Sequence, residues 1–277
     1  MRRPVAVVAA VTVSVLAAPA QAGEAAVSGA RAKALVTRIA ALGPRPAGSA
    51  NERRAAGIVA DRLRQLGYAV TVQAFGLPSG GTSRNVVART DGSLRAVLVA
   101  HVDGVSEGPA ANDNASGVAA LVEAARELRG TEGVLFAALG AEERVETGSH
   151  LHLGSVRLMR SVPRPVRPRI RLGLSLDMVG VGSTLTVRGL EGRPNRSSRV
   201  ALAMGRALSL RPVYLPDSGV SDHAEMTRGG IPAALLTWRW DPCWHEPCDR
   251  PHRVSARKLA QAARVAIAGV RTLGRGS

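Results

Sequence analysis

Residues 94–120 read LRAVLVAHVDGVSEGPAANDNASGVAA and join an apolar run to a predicted helix through a loop that contains glycine and proline. The run over 94–100, which is apolar apart from Arg95, is typical of a strand that is covered on both faces. Helical spacing follows over 115–128, so the segment predicts a strand, a loop and a helix. The loop holds His101, Asp103 and Asp113, which a simple connection does not need. We therefore expect functional residues at the end of this strand.

Three further segments repeat this layout, because apolar runs over 133–139, 170–176 and 231–238 each precede titratable side chains. Those side chains are Glu142 and Glu143, then Asp177, and finally His245. Alternating strands and helices predict a single-domain, three-layer α/β/α sandwich whose mixed central sheet is largely parallel. Because sites in such sheets lie outside the carboxyl ends of the strands, we expect these side chains to meet.

Capping signals predict the helices around these strands. Ser49 and Glu52 have the spacing of a capping box, so a helix is expected to begin there. Further helices are expected over about 198–209 and over 256–273, and Ser255 has the residue type of a cap for the last one.

The chain is strongly basic, with a net charge of +16, but only 3% of its residues are aromatic. Scattered arginines with few stacking side chains do not indicate a nucleic-acid partner, and we interpret them as a solvated surface. The proline- and arginine-rich segment 157–173 is interpreted as an exposed basic loop.

The N-terminus has the order of a secretory signal peptide, which we assign to residues 1–22. Two arginines precede an uncharged apolar run, and the residues AQA supply an A-x-A cleavage site. A membrane anchor is the alternative, but the run is too short to span a bilayer comfortably. We therefore expect a secreted protein, with one domain over 23–277 and no stable membrane insertion after removal of the signal.

The chain has two cysteines, Cys243 and Cys248, which flank His245. In an exported protein, such a close pair is more typical of a disulfide than of a redox or zinc motif. Neither cysteine is therefore counted among the candidate metal ligands.

The side chains at the strand ends have the composition of a catalytic metal site. Two imidazoles and three carboxylates suit zinc in a site that leaves a position open for water. Five ligands are too many for one open tetrahedral zinc, but they suit two Zn²⁺ ions if one carboxylate bridges them. Asp113 is the natural bridge, because it heads a helix in the loop nearest His101. The candidate ligands are His101, Asp113, Glu143, Asp177 and His245.

Other polar residues near these ligands are expected to support them. Glu142 stands beside a ligand and is the candidate catalytic base that takes a proton from water. Asp103 lies two residues from His101 and could orient its imidazole from outside the metal shell. Asp222 and His223 are assigned a supporting or structural role, because the ligand set is already complete. Surface positions, without a partner at ligand spacing, are expected for His150, His152 and His252.

Several of these stretches occur together in one known family. The strings HVDGV, NDNASGVAA, LGAEE, LDMVG, SDHAEM and WHEPCD stand in the order seen in secreted di-zinc aminopeptidases. The upstream LGPRPAGSANERRAAGIVADRLRQLGYAV and NVVA also look like that family, so the resemblance covers nearly the whole mature chain. The chain thus resembles the co-catalytic zinc exopeptidases that include aminopeptidase S and aminopeptidase Y.

This resemblance implies the zinc exopeptidase fold and a role for each candidate residue. The implied ligands are His101, Asp113 and Asp177 for one zinc and Asp113, Glu143 and His245 for the other. Glu142 would be the general base acting on a water between the metals. The resemblance also implies a possible cis peptide at 113–114 and a bridge between Cys243 and Cys248 that fixes the loop of His245.

The chain departs from the family pattern at three places. After the two glutamates the family often has Gly-Leu, whereas this chain reads RVETGSH. Trp244 stands where the family often has a tyrosine that donates a hydrogen bond to the substrate oxygen, so Trp244 is the candidate substrate-binding residue. Met226 stands where an aromatic residue is common, which changes the expected shape of the substrate pocket.

The expected function is the removal of N-terminal residues from peptides that have a free N-terminus. A glutaminyl cyclase on the same architecture, typically with one zinc, and a carboxypeptidase are the alternative enzymes. A basic binding protein on an inactive scaffold would require lost ligands, and all five are present. The sequence indicates neither an oligomeric state nor the preferred N-terminal residue.

Overall fold

The computed structural model describes residues 27–143 and 152–274 of the 277-residue chain. The predicted signal peptide over 1–22, the departure RVETGSH and His150 lie outside the described residues. None of the helices in the described part combines the length and apolar character needed to cross a bilayer.

The described residues form seven α-helices and eight strands. The helices are α1 (Gly29–Ala40), α2 (Ala50–Gln65), α3 (Gly117–Glu127), α4 (Leu153–Ser161), α5 (Arg196–Ala207), α6 (His223–Arg228) and α7 (Ala256–Thr272). The strands are β1 (Val70–Gly76), β2 (Thr82–Arg89), β3 (Ala96–His101), β4 (Val134–Leu139), β5 (Leu172–Leu176), β6 (Thr184–Gly189), β7 (Val213–Pro216) and β8 (Ala233–Arg239).

The strands form one sheet in the order β1-β2-β4-β3-β5-β8-β6-β7. Its centre, β4-β3-β5-β8, is parallel, with Leu98 of β3 opposite both Phe136 of β4 and Leu174 of β5. The β1-β2 hairpin adds antiparallel strands beside β4, and β6 runs antiparallel to β8. The expected mixed, largely parallel sheet is confirmed, and the carboxyl ends of its four central strands lie at one edge.

Helices cover both faces of the sheet, which gives the predicted three layers. Residues of α1, α2, α3, α5 and α7 share an apolar core with Leu98 and Phe136. Residues of α4 and α6 form a second core with Val97 and Val99, the neighbours of Leu98 that point to the opposite face. This alternation explains why β3 is apolar up to His101, because both of its faces are buried.

The predicted caps are present, although one helix starts later than expected. The side chains of Ser49 and Ser255 accept backbone N–H groups at the starts of α2 and α7. The helix expected from residue 115 begins as a regular helix at Gly117, because Ala111–Ser116 form an irregular turn.

The interpretation of 157–173 as an exposed loop is wrong in part. Residues up to Ser161 belong to α4, and Leu158 and Met159 are buried against the sheet together with Ile170. The apolar side chains of the segment pack inward while its arginines remain at the surface or donate to carbonyls, so proline content alone was misleading. Met226, the third departure from the family pattern, is buried in this same core.

Candidate metal centre

The end of β3 leads into a turn that is tied to neighbouring elements. His101 is the last residue of β3, and the irregular turn Ala111–Ser116 precedes α3. Within it, the peptide bond between Asp113 and Asn114 is cis, as the resemblance implied. The Asn114 side chain accepts the first N–H of α3 at 2.8 Å and donates to the carbonyl of Leu176 at 2.9 Å. The turn is therefore anchored to the end of β5.

The backbone at Asp113 is held by the buried carboxylate of Asp249. Its two oxygens accept the N–H groups of Asn112 at 2.7 Å and of Asp113 at 2.9 Å. Asp249 directly follows the disulfide between Cys243 and Cys248, which is present as predicted. The segment closed by the disulfide is thus joined to the backbone of Asp113.

A second aspartate connects the same two segments. The Asn112 amide donates to Asp241 at 2.9 Å and accepts the N–H of Gly180 at 2.9 Å. The Asp241 carboxylate also accepts the N–H of Cys243 at 3.0 Å and a guanidinium N–H of Arg253 at 2.9 Å. Asp241 and Asp249 therefore hold the turn from both ends of the disulfide segment.

The loop between His101 and the turn is clamped by Arg45, which is fully buried. Its guanidinium donates to the carbonyls of Val102 at 3.1 Å, Pro109 at 2.6 Å and Ala110 at 3.0 Å. Burial lowers the pKa of Arg45 to about 10, while nearby carboxylates oppose that shift, so the side chain remains cationic at neutral pH. A charged donor thus closes the loop from the inside.

The five predicted ligands meet at the carboxyl edge of the sheet. The Nε2 atom of His101 lies 3.2 Å from Oδ1 of Asp113 and 3.4 Å from Oδ1 of Asp177. The Nε2 atom of His245 lies 3.3 Å from Oδ2 of Asp113 and 3.1 Å from Oε2 of Glu143. Each oxygen of Asp113 therefore faces a different imidazole.

These distances fit ligands that surround tetrahedral metal ions. Zinc binds nitrogen and oxygen ligands at about 2.0–2.2 Å, so neighbouring ligand atoms of one tetrahedral ion lie about 3.3–3.6 Å apart. The four contacts of 3.1–3.4 Å agree with that spacing to within a few tenths of an ångström. A nitrogen and oxygen donor set without thiolate is also the composition of catalytic zinc sites.

Several buried atoms of this cluster have no hydrogen-bond partner among the described residues. They are both ring nitrogens of His101, Oδ1 of Asp177 and Oε1 of Glu143. A buried polar atom without a partner destabilises a fold by about 1–3 kcal/mol. Of these atoms, Nε2 of His101 and Oδ1 of Asp177 lie 3.4 Å apart, and a bound cation explains this pair better than a core hydrogen-bond network does.

The electrostatics of the cluster also favour a cation. Burial raises the pKa of Glu143 to about 7, and the nearby charge of Asp113 adds to that effect. Burial alone would lower the pKa of His101, but the charges of Glu142 and Asp177 raise it well above its usual value. In His245, Asp113 and Glu143 overcome burial and raise the pKa to about 10. The pocket therefore stabilises positive charge.

Glu142, the predicted base, differs from the ligands in its distances. Its Oε2 atom lies 3.8 Å from Nε2 of His101, longer than any of the four contacts between predicted ligands. Glu142 can join a group of possible ligand atoms with His101 and Asp177, all within 4.8 Å of one another. Proximity alone does not separate base from ligand, and the shorter contacts favour Asp113 over Glu142 as the partner of His101.

Asp103 lies beneath the two glutamates. Its carboxylate accepts the backbone N–H groups of Glu142 and Glu143, each at 3.1 Å. Its Oδ1 atom is 3.6 Å from Nδ1 of His101, beyond ordinary hydrogen-bond distance. The observed contacts of Asp103 are therefore mainly with the backbone of the glutamates rather than with the imidazole.

The predicted supporting pair Asp222 and His223 is fully buried beside the site. Burial raises the pKa of Asp222 to about 7. The Nε2 atom of His223 lies 3.3 Å from Asp217, whose other oxygen lies 3.1 Å from Arg188. His223 therefore faces a separate ion-pair cluster instead of the five predicted ligands.

His152 is not at the surface, so that prediction is wrong. Its side chain is 5% exposed, and its Nε2 atom lies 3.5 Å from Oε1 of Glu142. The spacing of the two residues in the sequence did not indicate this contact, because it depends on a backbone hydrogen bond from His152 to Glu142 that forms only in the fold. His252, in contrast, is exposed as predicted.

Trp244 lies at the rim of the pocket. Its side chain is 47% exposed, and its ring lies against the imidazole of His245 with 4.4 Å between the centroids. Trp240, 62% exposed, lies under the guanidinium of Arg239, whereas Trp238 is buried in the core. Trp244 is thus the tryptophan placed next to a predicted ligand.

Comparison with known proteins identifies the family. Residues 85–270 match the model of Peptidase family M28. The chain belongs to this peptidase family. The family resemblance seen in the sequence motifs is therefore confirmed, and every predicted ligand lies inside the matched region.

One curated relative in this comparison is Aminopeptidase YwaD of Bacillus subtilis, which is 33% identical over 192 residues. The match covers 62% of this chain but only 40% of that protein. This chain thus spans less than half the length of a relative that carries an assigned activity.

Solved structures support the fold of this M28 member. A zinc aminopeptidase from Bacillus subtilis, BSAP, superposes with a TM-score of 0.82 at 20% identity, covering 91% of this chain and 96% of that one. A glutaminyl cyclase of Porphyromonas gingivalis has a TM-score of 0.79 at 23% identity, covering 89% and 98%. At these identities the likeness is one of fold, and both predicted enzyme classes share it.

Proposed function

We propose that this chain is a secreted, zinc-dependent aminopeptidase that removes N-terminal residues from peptides. The observation that carries the proposal is the arrangement around Asp113. One oxygen lies 3.2 Å from His101 and the other 3.3 Å from His245, so a single carboxylate connects two ligand groups. Such an arrangement is what two adjacent metal ions with a shared ligand require.

Two Zn²⁺ ions fit the donor set, with three protein ligands for each. One set is His101, Asp113 and Asp177, and the other is Asp113, Glu143 and His245. When bound, the ions lower the pKa of a water molecule and polarise the carbonyl of the scissile peptide. The remaining chemistry is proton transfer and positioning by the side chains of the chain.

Glu142 is proposed as the general base. It is buried, and burial raises its pKa well above the usual value of a glutamate, which is the direction expected of a base working near neutral pH. Its Oε2 atom faces the pocket at 3.8 Å from His101. From this position Glu142 takes the proton of the attacking water and then delivers it to the leaving amine.

The surroundings suit a substrate with a free N-terminus. The pocket gathers the carboxylates of Asp113, Glu142, Glu143 and Asp177, and an ammonium group would be attracted to any negative charge that the metals leave uncompensated. Trp244 is proposed to bind substrate at the rim, where its indole N–H is a donor of the kind the family's tyrosine supplies. This role is supported by its contact with His245.

The activity of the named relative agrees with this proposal, since YwaD is called an aminopeptidase. The glutaminyl cyclase alternative is supported only by a shared fold. A glutaminyl cyclase typically needs one zinc ion, whereas the two oxygens of Asp113 belong to two ligand sets. Export is supported by the Cys243–Cys248 disulfide, because disulfides persist in oxidising compartments.

A Glu142→Gln variant tests the proposed function. Gln keeps the shape of the side chain but cannot accept the proton, so turnover of leucine p-nitroanilide should fall by at least about 100-fold. The metal content should remain at two zinc ions per chain, because Glu142 is not a proposed ligand. Glu132→Gln, at an exposed glutamate outside the pocket, is the matched control.

Retention of near-normal turnover by Glu142→Gln would overturn the assigned base. Peptides with N-terminal glutamine separate the enzyme classes: hydrolysis releases a free amino acid, and cyclisation releases ammonia. Peptides blocked at one end separate an aminopeptidase from a carboxypeptidase. Cleavage of N-terminally blocked peptides alone would contradict the proposal.

A further inference from the structure

The carboxylate of Glu142 has an imidazole on each side. Its Oε2 atom faces the metal-binding pocket, 3.8 Å from Nε2 of His101. Its Oε1 atom lies 3.5 Å from Nε2 of His152. The two oxygens of the proposed base are therefore distinguished by their neighbours, and the motifs of the sequence accounted only for the first.

The position of His152 is fixed by its backbone. Its N–H donates to the carbonyl of Glu142 at 3.0 Å, and the next N–H, of Leu153, donates to the carbonyl of Ala141 at 2.8 Å. Its own carbonyl accepts the N–H of Val156 at 3.0 Å, which starts α4. The backbone of His152 is thus held beside the backbone of Glu142 at the start of a helix.

The second nitrogen of the ring points toward Glu225. The distance from Nδ1 of His152 to Oε1 of Glu225 is 3.8 Å, too long for a hydrogen bond. That same oxygen is bonded to Arg228 instead. At 3.5 Å the contact with Glu142 is itself longer than an ordinary hydrogen bond, so it is an electrostatic contact. Glu142 is nevertheless the nearer of the two carboxylates, and its oxygen is the one that the Nε2 side of the ring faces.

We propose that His152 is a positioning residue for Glu142, holding Oε1 so that Oε2 stays directed at the metal-binding pocket. Because an ionised carboxylate only accepts hydrogen bonds, the proton of the ring belongs on Nε2. Burial lowers the pKa of His152, which agrees with a neutral ring that carries one N–H. The proposal rests on the proposed function, since it assigns a support to the base of that reaction.

This role goes beyond packing, because a carboxylate without such a support can rotate about its side-chain torsions. A general base contributes only when it lies within hydrogen-bond reach of the proton that it removes. Groups that orient metal ligands from behind typically change metal affinity or activity by about 10–100-fold, and we take the same range for a group that orients the base. We expect an effect of that size on kcat, without a matching effect on KM.

The test compares His152→Ala with His152→Gln. His152 has a φ of 56°, so Ala and Gln carry a similar backbone penalty, and the difference between the variants reports the side chain. Gln retains an N–H donor that can reach Glu142, whereas Ala has none. His252→Gln, at an exposed histidine, is the matched control. All chains are assayed as the zinc-loaded enzyme on leucine p-nitroanilide, with metal content and melting temperature measured on the same samples.

The expected result is a 10–100-fold loss of kcat in His152→Ala, with KM within about threefold and two zinc ions retained. In His152→Gln, the decrease in log kcat should be at least one third smaller than in His152→Ala. Unchanged kcat in His152→Ala overturns the positioning role. An equal loss in both variants, or loss of metal, also overturns it, because either result indicates a structural contribution alone.

The two proposals fail in different ways. If the wild type and His252→Gln release no amino acid from any nitroanilide, the proposed aminopeptidase function fails and the positioning role fails with it. If both are active and His152→Ala matches them, only the positioning role fails.

Discussion

Replacing Asp249 with asparagine changes one group in the segment that holds Asp113. The carboxylate accepts two backbone N–H groups, at 2.7 Å from Asn112 and 2.9 Å from Asp113. Asparagine keeps one acceptor oxygen and turns the other into an NH₂ group that faces an N–H. One hydrogen bond to a charged acceptor is lost, and such bonds contribute about 1.5–3 kcal/mol.

We expect this loss to appear in metal affinity, because the displaced backbone carries the ligand that both sets share. A change of about 1.5–3 kcal/mol corresponds to roughly 10–150-fold in a dissociation constant. Groups that support metal ligands show a similar range, about 10–100-fold. Both zinc ions should therefore bind about 10–100-fold more weakly in Asp249→Asn, whereas kcat at saturating zinc should change by less than about threefold.

The assay is a zinc titration against a chelator of known affinity, with leucine p-nitroanilide turnover measured in parallel. Asp61→Asn is the control, because the Asp61 side chain is 67% exposed. Affinities within twofold of the wild type for both ions would refute the reasoning. Selective weakening of one ion would also refute it, since Asp113 would then not be shared.

Three further predictions concern stability, the disulfide and the rim of the pocket. Burial raises the pKa of Glu52 from 4.5 to about 7, so the folded chain favours the protonated carboxyl. The contribution of this group to the free energy of unfolding is therefore fully present below pH 4.5 and is lost as the pH rises to about 7. In urea unfolding of the metal-free chains, the free energy of unfolding of Glu52→Gln relative to the wild type should therefore increase by up to about 3 kcal/mol from pH 4.5 to pH 8. A difference between the two chains that does not change with pH would contradict this. The double variant Cys243→Ser/Cys248→Ser should lose about 2 kcal/mol of unfolding free energy, measured by calorimetry. In a zinc titration it should bind one zinc ion more weakly than the other, and wild-type affinity for both ions would count against this prediction. Trp244→Ala should raise KM for leucine p-nitroanilide about fivefold, because it removes both the aromatic contact and the N–H donor. Trp244→Phe, which keeps a ring but lacks the donor, should raise KM less, and an unchanged KM in both variants would exclude a substrate contact.

The ends of the central strands could be predicted from the sequence because two local signals coincide there. Apolar runs mark buried strands, and His101 and Asp177 stand at or directly after the ends of two such strands. In a parallel sheet these ends share one edge, so local pattern and topology together bring distant residues into one pocket. The edge strand β7 gave no such signal, since it has only four residues and none of them is buried.

The supports of the site could not be predicted in the same way. Arg45 acts on the carbonyl of Ala110, 65 residues away, and a backbone carbonyl leaves no trace in the sequence. Asp249 likewise accepts backbone N–H groups 136 and 137 residues away. His152 lacked a partner at ligand spacing and was misassigned to the surface. Metal ligands can be recognised by residue type, whereas these supporting residues depend on which backbone groups the fold brings next to them.

The central claim is that one aspartate joins two metal ions in a single pocket. Its most direct test is the zinc content of the purified protein, measured together with turnover of leucine p-nitroanilide before and after chelation. The account predicts two zinc ions per chain, loss of turnover on their removal and recovery on adding zinc back. Full turnover by a metal-free chain, or saturation at a single ion, would contradict it.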